Sequence, residues 1–127
     1  MPRIFKNAWF QRFARRERID DAMLIDAVAR AGRGLIDADL GGGVIKQRVA
    51  RPGAGRSGGY RALLFFRSGD RAVFAFGFAK NRRDNVSEAE LALLKQAAGV
   101  ALGWHDAALD RLVETGILME IDHDGQD

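Results

Sequence analysis

Four basic side chains in the middle of the chain have the chemistry needed to act on a phosphate. Lys46 and Arg48 stand two residues apart in a stretch that alternates like a β-strand, so their side chains share one face. Cationic side chains stabilise the negative charge that builds up on phosphorus when an RNA phosphodiester is cleaved. With the bases that begin and end the next two strands, they are the strand residues of a candidate phosphate-contacting set: Lys46, Arg48, Arg61 and Lys80. The loop residue Arg56 also belongs to this set.

RNA cleavage also needs a base that removes the proton of the 2′-hydroxyl, and the usual histidine or glutamate is missing from this set. The charged form of a lysine is disfavoured when guanidinium groups crowd it. Lys46 beside Arg48 could therefore accept the proton. A second interpretation stays open, in which these bases are strand-edge charges that deter aggregation.

Further residues in the same region are candidates for binding RNA. Arg56 lies within the glycine-rich stretch 53–59, whose bare amides together with one guanidinium suit a phosphate backbone, although a plain flexible loop fits equally well. Tyr60 could stack on a base or transfer a proton, and it fits the hydrophobic core at least as well. The predicted RNA-binding set is Arg51, Arg56, Tyr60, Arg82 and Arg83.

Other catalytic patterns are absent from the sequence. There is no cysteine, which excludes disulfides and thiolate catalysis, and neither His105 nor His123 has a second ligand at metal-binding spacing. The serines occupy a loop, a turn and a helix cap, and the glycine-rich stretches match no nucleotide-binding pattern. We therefore expect neither a metal nor a cofactor.

Charge is distributed unevenly along the chain. Residues 41–83 carry ten Lys or Arg and one acidic residue, Asp70, whereas residues 84–127 carry ten acidic residues and two basic ones. A strongly basic middle third is typical of a surface that binds a polyanion. We expect residues 41–83 to form one positive face, with the acidic third elsewhere; a solvated basic face without a partner is the alternative.

The spacing of apolar residues predicts the elements that position these bases. We expect a first strand at Arg3–Lys6, a helix carrying Trp9, Phe10 and Phe13, and a second helix capped by Asp20 or Asp21. Three antiparallel strands should follow: Val44–Arg51 after a glycine-rich segment at 40–43, Tyr60–Phe66 in the centre, and Ala72–Lys80 after a tight turn at 68–70.

The last strand presents a difficulty, because strict alternation puts Lys80 on the side of Phe74, Phe76 and Phe78, the expected core face. The other face, with Val73, Ala75, Gly77 and Ala79, has small residues that leave room for a close approach to the backbone. A bulge or strand end near Lys80 would remove the conflict.

Ser87 to Glu90 has the pattern of a capping box and begins a third helix that stops near Gly103. A fourth helix capped by Asp106 and a short strand at 117–121 should complete the fold. The order predicts a compact α+β domain, with an N-terminal strand and helical hairpin packed on an antiparallel meander, and helices on one side of it.

The length of 127 residues indicates one domain, 1–127, with an acidic tail at 122–127 that we expect to be disordered. The N-terminus lacks the apolar region of a signal peptide, and the longest apolar stretch, at 72–79, is too short for a membrane helix. We therefore expect a soluble, cytoplasmic protein with no membrane contact.

Three segments together resemble the RelE/HigB toxins of toxin–antitoxin systems, particularly the HigB-like branch: IKQRVA at 45–50, GAGRSGGYR at 53–61 and FGFAKN at 76–81. The resemblance covers about residues 3–102. It implies a RelE-like fold, metal-independent cleavage of mRNA on the ribosome that inhibits translation, and a helix-turn-helix antitoxin as partner. It also implies active-site roles for Lys46, Arg48, Arg61 and Lys80, and less directly for Arg56 and Tyr60.

Two other functions fit the same fold. One is a non-enzymatic ParE-like inhibitor of DNA gyrase, which would explain the basic surface without requiring Lys46, Arg48 and Arg61 in one site. The other is an RNA-binding accessory protein.

Overall fold

The computed structural model describes residues 2–50 and 59–123. In this part of the chain four helices and six strands form an α+β fold, the class that was predicted. The elements, in chain order, are β1 Arg3–Asn7, α1 Ala8–Glu17, α2 Asp21–Gly32, β2 Ala38–Gly41, β3 Val44–Val49, β4 Tyr60–Arg67, β5 Arg71–Ala79, α3 Glu88–Ala101, α4 Asp106–Glu114 and β6 Leu118–Ile121.

The predicted meander is the centre of a wider sheet. The strand order is β2-β3-β4-β5-β1-β6, in which β1 runs parallel to β5 and every other neighbouring pair is antiparallel. The expectation of a plain glycine-rich segment before β3 was wrong, because residues 38–41 form strand β2. Its four residues include a glycine and an aspartate, which are depleted in strands, so propensity alone does not reveal it.

Side-chain caps set the helix starts. Asn7 accepts a hydrogen bond from the Phe10 amide and Asp20 accepts one from the Met23 amide. The capping box predicted for α3 is present, with Ser87 bonded to the Glu90 amide and the Glu90 side chain bonded to the Ser87 amide. The cap predicted for α4 is shifted by one residue, because His105 occupies the N-cap position and Asp106 is the first helical residue.

Helices cover both faces of the sheet, so the prediction of helices on one side was wrong. One apolar cluster joins the sheet to α1 and α2 through residues such as Phe10, Leu24 and Phe74. A second cluster joins the opposite face to α3 and α4 through residues such as Leu63, Ala98 and Leu109. We call these the hairpin face and the C-terminal face. The site described below lies on the C-terminal face.

A β-bulge at Ala75 breaks the alternation of β5. Leu64 pairs with Phe74 and Leu63 pairs with Phe76, so Ala75 has no partner on β4. Phe74 lies in the cluster of the hairpin face, whereas Phe76 and Phe78 belong to the opposite cluster. The expected single face of three phenylalanines was therefore wrong. The extra residue moves each side chain that follows it in the strand to the opposite face of the sheet from the one that strict alternation predicts.

The small residues beyond the bulge do allow a close approach, and α1 makes it. A Cβ atom placed on Gly77 would lie 2.8 Å from the Phe13 ring and 3.3 Å from the Phe10 ring. Glycine at this position lets the aromatic rings of α1 rest on the backbone of β5.

The described helices include none with the length and apolar character needed to cross a membrane. The predicted loop at 51–58 lies outside the described residues, as do residues 124–127 of the acidic tail. Within that tail, the His123 ring nitrogen Nε2 lies 2.9 Å from the Pro2 carbonyl oxygen, so residue 123 is tied to the start of β1.

Candidate active site

Strand register brings the four candidate catalytic residues to one face of the sheet. Arg48 on β3 pairs with Arg61 on β4, and Arg61 pairs with Phe78 on β5. Paired residues point to the same side, so Arg48, Arg61 and Phe78 share the C-terminal face. Two-residue steps along the strands place Lys46 and Lys80 on that face as well. We call this set the cation cluster: Lys46, Arg48, Arg61 and Lys80.

The bulge at Ala75 resolves the conflict that the sequence posed for Lys80. Without the extra residue, Lys80 and Phe78 would lie on the hairpin face, away from Arg61. The ladder also continues past β5, since the Lys80 amide donates to the Gly59 carbonyl oxygen at 3.0 Å. A bulge was one of the two solutions expected, and it occurs five residues before Lys80.

Two side chains that precede β2 in the chain hold the backbone of Arg48. Its amide donates to the Asp37 carboxylate at 2.6 Å, and its carbonyl oxygen accepts from the Arg30 guanidinium at 2.6 Å. On the side of β3 where β2 does not reach Arg48, side chains therefore satisfy both of its backbone polar groups in place of a strand. The Arg48 side chain is exposed, so its cation is presented from a fixed backbone.

Arg61 lies beside Arg48 on the neighbouring strand and is nearly buried, with 9 % of its surface exposed. Its Nη1 donates to the Tyr60 carbonyl oxygen at 3.3 Å. Burial lowers the pKa of the Arg61 guanidinium, the nearby Arg48 lowers it further, and Asp37 opposes this change. Within residues 2–50 and 59–123, neither Arg48 nor Arg61 forms an ion pair with a carboxylate.

The two lysines of the cluster are held by the segment that follows β5. The Lys80 ammonium contacts the Asp84 carboxylate at 2.7 Å, which lowers the pKa of that carboxyl. The Lys46 ammonium donates to the Asn85 side-chain oxygen at 3.3 Å. Adjacent residues of one loop therefore contact lysines that come from two different strands.

Arg83 supports this loop instead of facing outward with the cluster. Its guanidinium lies 5.3 Å from the centre of the Phe78 ring, forms an ion pair with Glu90, and donates from Nε to the Asn85 carbonyl oxygen at 3.1 Å. Ion pairing with Arg83 and hydrogen bonding to the Ser87 amide lower the pKa of Glu90. The RNA-binding role predicted for Arg83 therefore competes with a structural one, whereas Arg82 is exposed next to the site.

Tyr60 does not join the cluster. It is 2 % exposed and belongs to the apolar cluster of the hairpin face, where its ring meets Phe13 edge-on at 5.9 Å. Its hydroxyl donates to the Glu17 carbonyl oxygen at 3.3 Å. The structure thus corrects its assignment to the RNA-binding set in favour of the core alternative. Arg51 and Arg56 lie outside the described residues.

The expected single positive face is also wrong in part. Arg67 and Arg71 lie at the opposite end of the β4–β5 hairpin, where both contact Asp70. Nor is the acidic third kept apart, because Asp84 and Glu90 contact Lys80 and Arg83. Other acidic residues of that third surround Arg3: Asp106, Asp110 and Glu120.

Sequence reasoning missed several supports of the site. Gln47 lies between Lys46 and Arg48 in β3 with its side chain fully buried on the opposite, hairpin face. It donates to the Ala27 and Leu35 carbonyl oxygens at 3.0 and 3.2 Å and accepts from the Asp37 amide at 2.8 Å. A signal existed, since Gln47 stands between Ile45 and Val49 on the apolar side of the strand pattern, and a polar residue there must find buried partners. Asp37 and Asn85 carried no such signal.

In chemical terms, the cluster is a set of cations on one sheet face. Three of them, Lys46, Arg48 and Arg61, have no carboxylate partner among the described residues. Such a set can bind a phosphodiester and stabilise charge on phosphorus. In the described parts of the chain, no three acidic or imidazole side chains come together to hold a metal ion.

The comparisons with known proteins agree with this architecture. A search among curated proteins finds no match. The family model described as the RelE toxin of the RelE/RelB toxin–antitoxin system matches residues 2–121, which include every described strand and helix. The chain therefore belongs to the RelE toxin family of RelE/RelB toxin–antitoxin systems.

Proposed function

We propose that this toxin is an endoribonuclease that cleaves mRNA on the ribosome and so inhibits translation in the cytoplasm. The observation that carries the proposal is the cation cluster, in which Arg48 and Arg61 face each other across paired strands. Like charges placed together in a partly buried position cost stability, and a bound anion removes that cost. A phosphodiester backbone is the anion that this family context favours.

In the proposed reaction each cation has a role. Arg48 and Arg61 bind the scissile phosphate and stabilise its charge in the transition state, and Lys80 supports them from β5. Lys46 accepts the proton of the 2′-hydroxyl. Without a histidine or glutamate base the reaction is slow in solution, and the ribosome supplies the orientation of the mRNA.

Membership of the family implies an antitoxin partner. We propose that the partner is a helix-turn-helix protein that neutralises the cation cluster or prevents entry into the ribosome. Co-expression of the antitoxin should restore growth to cells in which the toxin arrests it. A toxin that arrests growth equally with and without its antitoxin would contradict this part of the proposal.

The test of the reaction is mapping of mRNA ends after adding the purified toxin to translating ribosomes. We expect new 5′ ends within the message, and their loss in the double variant Lys46→Ala, Arg61→Ala. Inhibition of DNA supercoiling with intact mRNA would instead support the gyrase inhibitor and overturn the proposal. RNA binding gives a second measurement: four phosphate contacts predict a log–log salt slope of about −2.8, and Arg48→Gln should make it shallower by about 0.7.

A further inference from the structure

The loop after β5 contacts the two lysines of the cluster through different chemical groups. Lys80 meets a carboxylate, Asp84, at 2.7 Å, whereas Lys46 meets a neutral amide, Asn85, at 3.3 Å. A carboxylate stabilises the ammonium form of its partner, because the attraction is lost when the ammonium gives up its proton. An amide oxygen accepts a hydrogen bond from an ammonium or from a neutral amine and favours the charged form far less.

Asn85 is held at its side chain and at its backbone. Its side-chain oxygen also accepts from the Val86 amide at 2.9 Å, and its backbone carbonyl oxygen accepts from Arg83, whose guanidinium lies over the ring of Phe78. The amide is thus held over the sheet at a set position. The hydrogen bond to this amide orients the Lys46 amine and limits the conformations that its four-carbon side chain can adopt.

We propose that Asn85 is a positioning residue that holds Lys46 ready to accept the 2′-hydroxyl proton, while the Asp84 carboxylate pairs with Lys80, which binds the phosphate as a cation. The inference rests on the proposed function. It assigns the role of base to Lys46 and the role of fixed positive charge to Lys80, according to the residue that each lysine contacts.

The proton and electron balance follows from that division. The Lys46 amine takes the 2′-hydroxyl proton, the 2′ oxygen bonds to phosphorus, and the bond between phosphorus and the 5′ oxygen breaks. The 5′ oxygen keeps that electron pair and takes a proton from water, and the Lys46 ammonium then returns its proton to the solvent. Lys80 keeps all its protons throughout.

Charged groups of both signs lie on the elements around Lys46. The cations are Arg48, Arg61, Lys80, Arg82, Arg83 and Lys95, and the acidic groups are Asp37, Asp84, Glu88 and Glu90. Among the described residues Lys46 forms no ion pair with any of these carboxylates: Asp84 contacts Lys80, Glu90 contacts Arg83, and Asp37 contacts Arg30. Replacing Asn85 by aspartate would therefore give Lys46 a direct carboxylate contact that it lacks.

The experiment compares Asn85→Asp with Asp84→Asn, which make opposite charge changes at adjacent residues. We expect Asn85→Asp to lower kcat for ribosome-dependent cleavage about tenfold at pH 7, with KM little changed, because a carboxylate in contact with the Lys46 ammonium opposes the loss of its proton and so slows only the proton transfer. The loss should shrink as the pH is raised. Asp84→Asn should keep kcat within about threefold, since Lys80 stays charged.

Asn81→Asp is the matched control, because Asn81 is exposed in the same loop and, among the described residues, forms no hydrogen bond with Lys46 or Lys80. Asn85→Gln keeps an amide and should retain more activity than Asn85→Ala. Equal rates and equal pH profiles for Asn85→Asp and Asn81→Asp would overturn the inference while leaving the proposed function intact.

A second measurement does not depend on RNA. An amine-acylating reagent reacts with the neutral amine only, and mass spectrometry resolves each lysine. Relative to the exposed Lys95, Lys46 should label several-fold more slowly in Asn85→Asp than in the wild type, and Lys80 should label faster in Asp84→Asn. Unchanged labelling of both lysines would overturn the inference even if cleavage were never detected, whereas failure of the wild type to cleave mRNA counts against the proposed function alone.

Discussion

Two arginines at opposite ends of the β4–β5 hairpin are almost equally buried and have very different partners. Arg71 donates to the Asp70 carboxylate at 3.2 Å and to the Ala101 carbonyl oxygen at 3.0 Å, at the end of α3. Arg61 donates to a neighbouring carbonyl oxygen and faces Arg48. A buried cation with an anion and a helix-end carbonyl stabilises the fold, whereas we propose that the buried cation beside a second cation binds a ligand.

Substituting Arg61 gives the largest expected effect on activity. Arg61→Ala removes the most buried cation of the cluster, and we expect cleavage of ribosome-bound mRNA to fall by about a hundred- to a thousandfold, since that is the typical effect of losing one preorganised group that stabilises transition-state charge. The melting temperature should stay close to that of the wild type because no carboxylate loses its partner. The measurement is the rate of appearance of cut mRNA beside a thermal melt.

Arg61→Lys sharpens the same comparison. It keeps the positive charge and loses the planar guanidinium. The activity that Arg61→Lys retains above Arg61→Ala would measure the contribution of the charge, and the remaining loss would measure the contribution of the guanidinium geometry. If Arg61→Ala instead unfolded the protein as readily as a substitution of Arg71, the distinction between the two ends of the hairpin would be wrong.

Arg71→Met should have the opposite profile. The Asp70 carboxylate and the carbonyl oxygen that ends α3 both lose a donor, and we expect a loss of about 2–3 kcal/mol in the free energy of unfolding. Activity per folded molecule should not change. Urea denaturation monitored by circular dichroism measures the loss, and a stability equal to that of the wild type would contradict the structural role.

Much of this comparison could be predicted from the sequence, because it rests on period and spacing. The alternation of β3 predicted that Lys46 and Arg48 share one face. The turn at 68–70 predicted the β4–β5 hairpin, and the capping box of Ser87 and Glu90 predicted the start of α3. These signals are local, so each is readable from a few residues. The order of the strands predicted that β3 and β4 are neighbours, whereas the register that pairs Arg48 with Arg61 was not predicted.

What could not be predicted depends on contacts between distant segments. The bulge at Ala75 has no sequence signature of its own, and it alone decides which face Lys80 shares. The partner of each arginine is equally non-local: Arg71 reaches α3, thirty residues away, and Arg30 reaches Arg48 across eighteen residues. Counting bases along the chain therefore overestimated the positive face.

Gln47 extends the comparison to the hairpin face, where a buried polar group also serves the fold. Gln47→Met leaves the Leu35 carbonyl oxygen and the Asp37 amide without their partner, and we expect a loss of about 2 kcal/mol in the free energy of unfolding. Gln11→Met is the control, because the Gln11 side-chain oxygen is buried with no hydrogen-bond partner among the described residues, so removing it should cost little or stabilise. Denaturation curves of the two variants should separate clearly; equal losses would contradict the role of Gln47.

The smallest expected effect concerns Arg83 and Glu90, an ion pair at the border of the site. Glu90→Gln keeps the capping box, since glutamine also bonds back to the N-cap amide, and removes only the charge. The pKa of Glu90 is lowered in the folded protein, so its contribution is present above the unfolded value of about 4.3 and is lost as the pH falls through the lower folded value. Because the side chain is partly exposed, we expect Glu90→Gln to cost about 0.5 kcal/mol at pH 7 and nothing near pH 2. Urea denaturation at the two pH values measures the difference, and a loss that does not change with pH would show that the charge of Glu90 contributes nothing and that Arg83 is held by its aromatic contacts instead.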